Sequence, residues 1–196
     1  MTEESKVLNK EIIETYDTSR FPSAIDCVMP GYFGGNKVLF IAQNPGQLKS
    51  TVDSDVAYLR AYQQKEYDKI DSYYIDALKS SRGTYGTFIH DIYGEDWSDI
   101  SITNVFKCPF VYNLVPFSTP DKEKQLLTKQ IHLLNPKIIV CVGLIARVAM
   151  KHRVSNHAPL LDVSHPSYLK KTGQYSEKVI EYKKQLHELL NNIVNN

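Results

Sequence analysis

The chain has little cysteine: Cys27, Cys108 and Cys141 are three in 196 residues, with no Cys-x-x-Cys pair. That argues against a disulfide framework and a self-sufficient zinc site, and a reducing compartment is the simplest setting. An excess of one charge is missing too. Lys and Arg total 23 against 22 Asp and Glu, a formal net charge of +1, so a polyanionic partner must be met by a local basic patch. No run approaches the roughly 18 apolar residues of a membrane span, and the polar stretch from Met1 to Lys10 lacks the apolar centre of a signal peptide. A soluble, intracellular, cytoplasmic monomer with no membrane partner is expected. There is no internal repeat or low-complexity linker, and 42% hydrophobic residues are enough to bury the core of one domain spanning 1–196.

What stands out instead is Val38-Leu39-Phe40-Ile41-Ala42, an apolar run that breaks abruptly into Gln43-Asn44-Pro45-Gly46. A parallel strand buried on both faces reads as a continuous apolar run, and ligands of open α/β sheets gather beyond the carboxyl ends of such strands. Pro45 fixes its own φ and pushes Asn44 towards an extended conformation, while Gly46 permits close backbone approach. By itself the motif reads as an ordinary strand-ending turn.

Helical and strand signals alternate along the chain. A short amphipathic helix over 7–16 is followed by a loop rich in Pro and Gly from Phe21 to Gly35, and then by the first strand near 37–42. Residues 48–82 form a polar, helix-forming insert with Tyr58, Tyr62, Tyr67, Tyr73 and Tyr74. Such tyrosines can stack on bases, but a half-buried packing face with wet hydroxyls is the commoner arrangement. Ser81-Arg82-Gly83-Thr84-Tyr85-Gly86 reads as a small-residue loop before a short helix through Phe88, Ile89 and Ile92. Further strands are expected over 100–106, 137–142 and 160–163, with Asp121 as the N-cap of a helix that Asn135-Pro136 stops. The last helix carries Val179, Tyr182, Leu186, Leu189, Leu190 and Ile193 on one face. This alternation predicts an α/β fold, a parallel sheet covered by helices on both sides.

Three polar elements then fall at the carboxyl ends of three different predicted strands: Gln43 to Gly46, Asn104 with Lys107, and His165-Pro166-Ser167. The set resembles the uracil-DNA glycosylase superfamily, whose three-layer α/β/α sandwich around a four-stranded parallel sheet carries its catalytic motifs after the first and last strands. Thr103-Asn104-Val105-Phe106-Lys107-Cys108 and Ser164-His165-Pro166-Ser167-Tyr168-Leu169 look most like the thermostable iron–sulfur branch, as does the Asn-Pro-Lys-Ile-Ile-Val-Cys-Val-Gly run ending at Gly143. The first motif departs from that branch, which has Gly-Glu-Ala-Pro-Gly. Asn44-Pro45-Gly46 is similar to the mismatch-specific and single-strand-selective branches, and Gln43-Asn44-Pro45 is one amide away from the Gln-Asp-Pro of the major uracil-excision enzymes. The iron–sulfur branch holds its cluster with four cysteines. Cys108 matches one and Cys27 resembles another, but nothing completes the set. No cluster and no other cofactor are expected.

The resemblance implies a DNA glycosylase that starts base excision repair by hydrolysing the N-glycosidic bond of uracil. That chemistry requires a base turned out of the stack, a water at C1′ and stabilisation of the leaving base anion. Gln43 and Asn44 stand at the catalytic turn. Asn44 has no useful basic pKa, so its role is to orient the water and stabilise the cationic sugar by its carbonyl dipole; His165 donates to O2 of the flipped pyrimidine. Asn104 offers a donor and an acceptor to the O4 and N3–H edge, provided its neighbours fix the amide. Tyr85 or Phe88 stacks on the base, and Pro45 and Gly46 line its site. Ser167, Tyr168 and Leu169 enter the minor groove, Leu169 as an apolar wedge, while Lys107, Lys170 and Lys171 meet phosphates. Two alternatives stay open: excision of another deaminated base such as hypoxanthine or xanthine, and noncatalytic binding of damaged bases, which the missing carboxylate favours.

Overall fold

The computed structural model describes residues 3–49, 51–80, 84–111, 114–116, 118–151 and 158–194. Its centre is β2, Val38–Ala42, every residue of which is buried. Two further five-residue strands, β3 (Ile100–Asn104) and β4 (Ile138–Val142), are buried throughout as well. β2 pairs in parallel with β3 on one side and with β4 on the other, and β5 (Leu160–Val163) extends the sheet beyond β4, also in parallel. These are the four expected strands. A fifth, β1 (Tyr32–Phe33), adds an antiparallel edge to β3, giving the order β1-β3-β2-β4-β5. It lies within the stretch read as a Pro- and Gly-rich loop, and at two residues it is too short to carry a periodic signal.

Side chains alternate between the two faces of the sheet, as a pleat requires. Val38, Phe40 and Ala42 join Ile100, Ile102, Ile138, Val140 and Val142 in one core cluster, while Leu39 and Ile41 join Ile139 and Cys141 in the other. The first core is closed by α2 (Asp53–Gln63), α3 (Tyr67–Ser80), α4 (Thr84–Tyr93) and α8 (Tyr175–Val194), through residues such as Tyr58, Tyr74, Ile89 and Leu186. The second is closed by α1 (Glu3–Thr15), α5 (Asp121–Leu134) and α6 (Leu144–Met150), through Ile12, Leu127 and Ala146. Helices therefore cover both faces of a mostly parallel sheet. Among the described residues, no helix is long and apolar enough to cross a membrane.

Several boundaries differ from the sequence reading: β3 stops at Asn104, short of Phe106, and α1 begins at Glu3, before Val7. Thr84, Tyr85 and Gly86 belong to the first turn of α4 and not to a loop, while Ser81, Arg82 and Gly83 lie outside the described residues. Gly86 is the residue type this packing needs, because a Cβ there would overlap the carbonyl oxygen of Leu78 at the end of α3. Asp121 is the first residue of α5, not its cap; Pro120 occupies the cap position, with no side-chain hydrogen bond. The helix does end at Asn135, in the left-handed region at φ 43°, where its N–H bonds the Ile131 carbonyl.

The tyrosine-bearing insert packs as expected of a half-buried face. Tyr58 is fully buried and donates to the Val28 carbonyl at 2.7 Å, and its ring lies 6.4 Å from that of Tyr74. Tyr67 reaches Glu14 at 3.0 Å.

The register places the strand ends level. Ala42 stands opposite Asn104, and Val142 opposite Val163. The chain leaves β2 towards β3 on one side and leaves β4 towards β5 on the other, so the crevice expected at a topological switch point opens between β2 and β4.

Candidate active site

A cavity of about 480 Å³ occupies that end of the sheet. Gln43, Asn44, Pro45 and Gly46 contribute from the turn after β2, Asn104 from the end of β3, and His165 and Ser167 from the segment after β5. Tyr74 and Leu78 from α3 and Thr84 to Gly86 from α4 complete the wall. The three polar elements that the sequence leaves 60 residues or so apart thus meet in one place. A depression of about 540 Å³ lined by Lys79, Thr87, His90 and Trp97 is larger. It shares Gly86 with the first but takes no residue from the turn after β2, the end of β3 or the segment after β5.

The first turn is held from behind by the sheet. Val105 N–H donates to the Ala42 carbonyl at 2.9 Å and Phe106 N–H to the Gln43 carbonyl at 3.0 Å, so the backbone that carries Asn44 is an extension of the β2–β3 ladder. Within the turn, Asn44 Nδ2 donates to the Pro45 carbonyl at 2.8 Å. This sets the amide in one direction and leaves Oδ1 as the end that can take a further partner. Pro45 is buried, while a Cβ built on Gly46 would meet open space.

Asn104 is only 1% exposed. Its Nδ2 donates to the Tyr74 hydroxyl at 3.1 Å, and its Oδ1 has no partner. The Tyr85 hydroxyl is a second buried polar group of the cavity wall without a partner. Burial pushes the Tyr74 phenol up to about 12 and holds that of Tyr85 well above its ordinary value, so both are neutral at pH 7. Buried groups of this kind are costly unless something fills their valence, and a ligand is the obvious candidate.

His165 caps α7 (Pro166–Lys171), its Nδ1 accepting from the Ser167 N–H at 3.3 Å. In the neutral ring this places the remaining proton on Nε2, which becomes a donor. Burial lowers the His165 pKa below its ordinary 6.5, favouring that neutral form. Gly143, at φ 86°, passes beneath the ring: a Cβ there would stand 3.3 Å from His165 Cβ.

Three of the residues assigned from the sequence lie elsewhere. Phe88 is fully buried beneath the first core, 6.3 Å from the Tyr175 ring and 6.4 Å from that of Tyr182, and does not line the cavity. Tyr85 stands in the first turn of α4, at the end of the helix that meets the cavity, whereas Phe88 lies one turn further along, within the core. Leu169 is 1% exposed, buried with Pro166 on the inner side of α7, so it is a core residue and not a wedge. Its neighbour Tyr168 is 58% exposed and is the apolar side chain that projects there. Lys170 and Lys171 are exposed on the same helix, Lys170 5.1 Å over the Tyr175 ring.

Lys107 is the third correction. It is fully buried, donating to the Asn104 carbonyl and, at 2.9 Å, to Thr103 Oγ1, and so cannot reach a phosphate. Thr103 Oγ1 also lies 2.9 Å from Gln130 Oε1, and Arg20 pairs with the buried Glu123 nearby. Desolvation carries the Lys107 pKa down to about 7 from 10.5, although Glu123 opposes the shift. Between those values the unfolded chain holds a proton that the folded one has released, so stability rises with pH across that window. A slope on the order of 1 kcal/mol per pH unit is expected between pH 7 and 8.5. Lys107→Met should flatten it, which urea unfolding at the two pH values will show; an equal slope in both proteins would mean that Lys107 is not titrating.

The cysteines do not fit the iron–sulfur cluster of the branch that the second and third motifs resemble. Cys27, Cys108 and Cys141 are the three cysteines of the chain, one short of the four thiolates that such a cluster takes. Among the described residues, no three His, Cys, Asp or Glu side chains come together as a metal site.

The sequence reading missed Tyr74, Leu78 and Thr84. Tyr74 repeats Ile70 at helical spacing, which marks a buried face but does not say what the hydroxyl meets.

No curated protein matches the chain. The family model described as the uracil DNA glycosylase superfamily matches residues 30–189, a span that runs from just before β1 into α8 and takes in every element of the cavity. The chain belongs to the uracil DNA glycosylase superfamily.

Proposed function

We propose that this protein excises uracil from DNA by hydrolysing the N-glycosidic bond, the first step of base excision repair. The observation that carries this reading is the convergence on one cavity of three independently held groups: the Asn44 amide tied to Pro45, the Asn104 amide tied to Tyr74, and His165 tied to Ser167. Preorganised groups of this kind act on charge that develops in the transition state without reorganising when it appears.

In this mechanism the nucleotide is turned out of the stack into the cavity. Asn104 Oδ1 accepts from N3–H of the base, and the second Nδ2 hydrogen donates to O4. His165 Nε2–H donates to O2, where negative charge accumulates as the bond to C1′ lengthens. Asn44 Oδ1 accepts a hydrogen bond from the attacking water and turns its oxygen towards C1′, while the same carbonyl dipole faces the cationic sugar. No carboxylate removes the water's proton at this position, so the base departs first with the electron pair of the N–C1′ bond, and the water that then adds to C1′ loses its proton to solvent while the base anion gains one from solvent. Tyr85 borders the base through its neutral phenol.

Ser167 at the cavity edge, and Tyr168, Lys170 and Lys171 outside it, face the DNA, with Tyr168 filling the space that the base vacates. Tyr168→Ala should therefore slow excision from a duplex about tenfold, a fraction of the few kcal/mol that unstacking costs, and leave single-stranded substrate nearly unaffected. An equal loss on both substrates would remove Tyr168 from the wedge role.

The ring N–H beside a carbonyl that Asn104 recognises is shared by hypoxanthine and xanthine, which makes their excision the second reading. The overall test is a gel assay on an oligonucleotide with a single uracil, followed by alkaline cleavage. Strand cleavage at the uracil is expected; binding of that oligonucleotide without any abasic product would make the protein a noncatalytic reader of damaged bases.

A further inference from the structure

We propose that Asp55, in the first turn of α2, accepts the proton of the attacking water by way of waters held in a small cavity beside the base cavity. This rests on the reading of the base cavity as the site of excision, and it names the first stop of that proton on its way to solvent.

The Asn44 amide cannot take the proton, yet the turn that carries it borders a carboxylate. A cavity of about 90 Å³ adjoins the base cavity and shares Gly46, Tyr74 and Leu78 with it. At roughly 30 Å³ each, two or three waters fit there. Gly46 stands two residues after Asn44 and puts no side chain at the boundary; a Cβ there would meet no protein atom within 4 Å. Met29 and Leu48 give the small cavity apolar walls, and Asp55 is the one charged residue among the described residues lining it.

Asp55 is only 6% exposed. One of its carboxylate oxygens accepts from the Lys49 N–H at 2.8 Å; among the described residues the other has no hydrogen-bond partner, and the carboxylate has no ion-pair partner. A buried carboxylate is costly unless its second oxygen is solvated, and the small cavity is where water can do so. As a brace for the Lys49 N–H an asparagine would serve equally well. Only the carboxylate can take a proton.

Once the base has left with the electron pair of the N–C1′ bond, the water oxygen bonds to C1′ and one of its O–H bonds breaks. The proton passes along the waters of the small cavity to the second Asp55 oxygen, giving the neutral acid. Asp55 then returns that proton to solvent, from which the base anion takes one up.

The test is single-turnover excision from uracil DNA by wild type, Asp55→Asn, Asp55→Ala and Asn44→Ala, each with a thermal melt, and each with sodium formate or an equal concentration of sodium chloride. Asp55→Asn should keep the wild-type melting temperature and lose about tenfold in rate, less than the 10²–10⁴ of a general base in direct contact because a relay intervenes. Asp55→Ala should be slow as well, and formate, a carboxylate small enough for the space vacated, should recover its rate several-fold where chloride does not. Asn44→Ala keeps its acceptor and should not respond to formate. A wild-type rate in Asp55→Asn would overturn the role of Asp55 while leaving excision intact. An Asp55→Ala protein insensitive to formate, or a slow Asp55→Asn with a lowered melting temperature, would return the residue to bracing Lys49. Absence of abasic product from wild type would refute excision itself, and with it any proton to be accepted.

Discussion

Alanine at Asn44 or at His165 should slow single-turnover uracil excision about a hundredfold, a loss on the order of 3 kcal/mol for each. Asn44→Ala removes the carbonyl that orients the water. His165→Ala removes the only assigned donor to O2 of the departing base, but it also uncaps α7, since Nδ1 accepts from the Ser167 N–H. The cap is worth roughly 1 kcal/mol, so His165→Ser, which caps but cannot reach the base, should recover stability and stay slow. Affinity for an abasic duplex should survive in all three variants, because Tyr168, Lys170 and Lys171 are untouched. Wild-type excision in Asn44→Ala or His165→Ser would end the mechanism. The state of His165 also fixes a pH effect. Its pKa is lowered by burial, so the stability it contributes is present above its ordinary 6.5 and is lost as pH falls below that value.

The second large effect is expected far from the chemistry. Gly86→Ala would drive a methyl into the Leu78 carbonyl, backbone against backbone, with no flexible side chain to give way. Overpacking of this kind costs roughly 2–3 kcal/mol, equivalent to a drop of about 5–10 °C in melting temperature for a chain of this size. The damage should extend to activity, since separating α3 from α4 moves Tyr74 and Tyr85 apart. Gly46→Ala is the control: its Cβ meets no protein atom, so the melt should not change. Equal melting temperatures for Gly86→Ala and wild type would show that the helices can part without cost.

Much of this arrangement is legible in the sequence, for a physical reason. A parallel strand covered by helices must be apolar on both faces, so Val38–Ala42 and Ile138–Val142 announce themselves, and a polar residue just past such a run is conspicuous. Asn44 is found in that way, whereas Asn104 and His165 are found as polar residues at the carboxyl ends of strands that are themselves mixed, Ile-Ser-Ile-Thr and Leu-Leu-Asp-Val. Residues whose setting is created by distant segments are not. Lys107 reads as a surface cation because nothing beside it in the chain reveals that Thr103 and the Asn104 carbonyl will receive its ammonium among buried groups. Tyr74 reads as packing because its partner lies 30 residues away. The exchange of Leu169 for Tyr168 was open to inspection. Pro166 starts a helix, and Leu169 three residues on shares its inward face while Tyr168 turns outward.

Whether the cavity breaks the bond between sugar and base is decided by incubating the protein with oligonucleotides that carry a single uracil, hypoxanthine, xanthine or cytosine, and identifying the released free base by chromatography. Free uracil should appear in step with abasic sites and depend on Asn44, with none of the other three bases released at a comparable rate. Release of no base from any of the four, under conditions where uracil DNA is bound, would contradict the account.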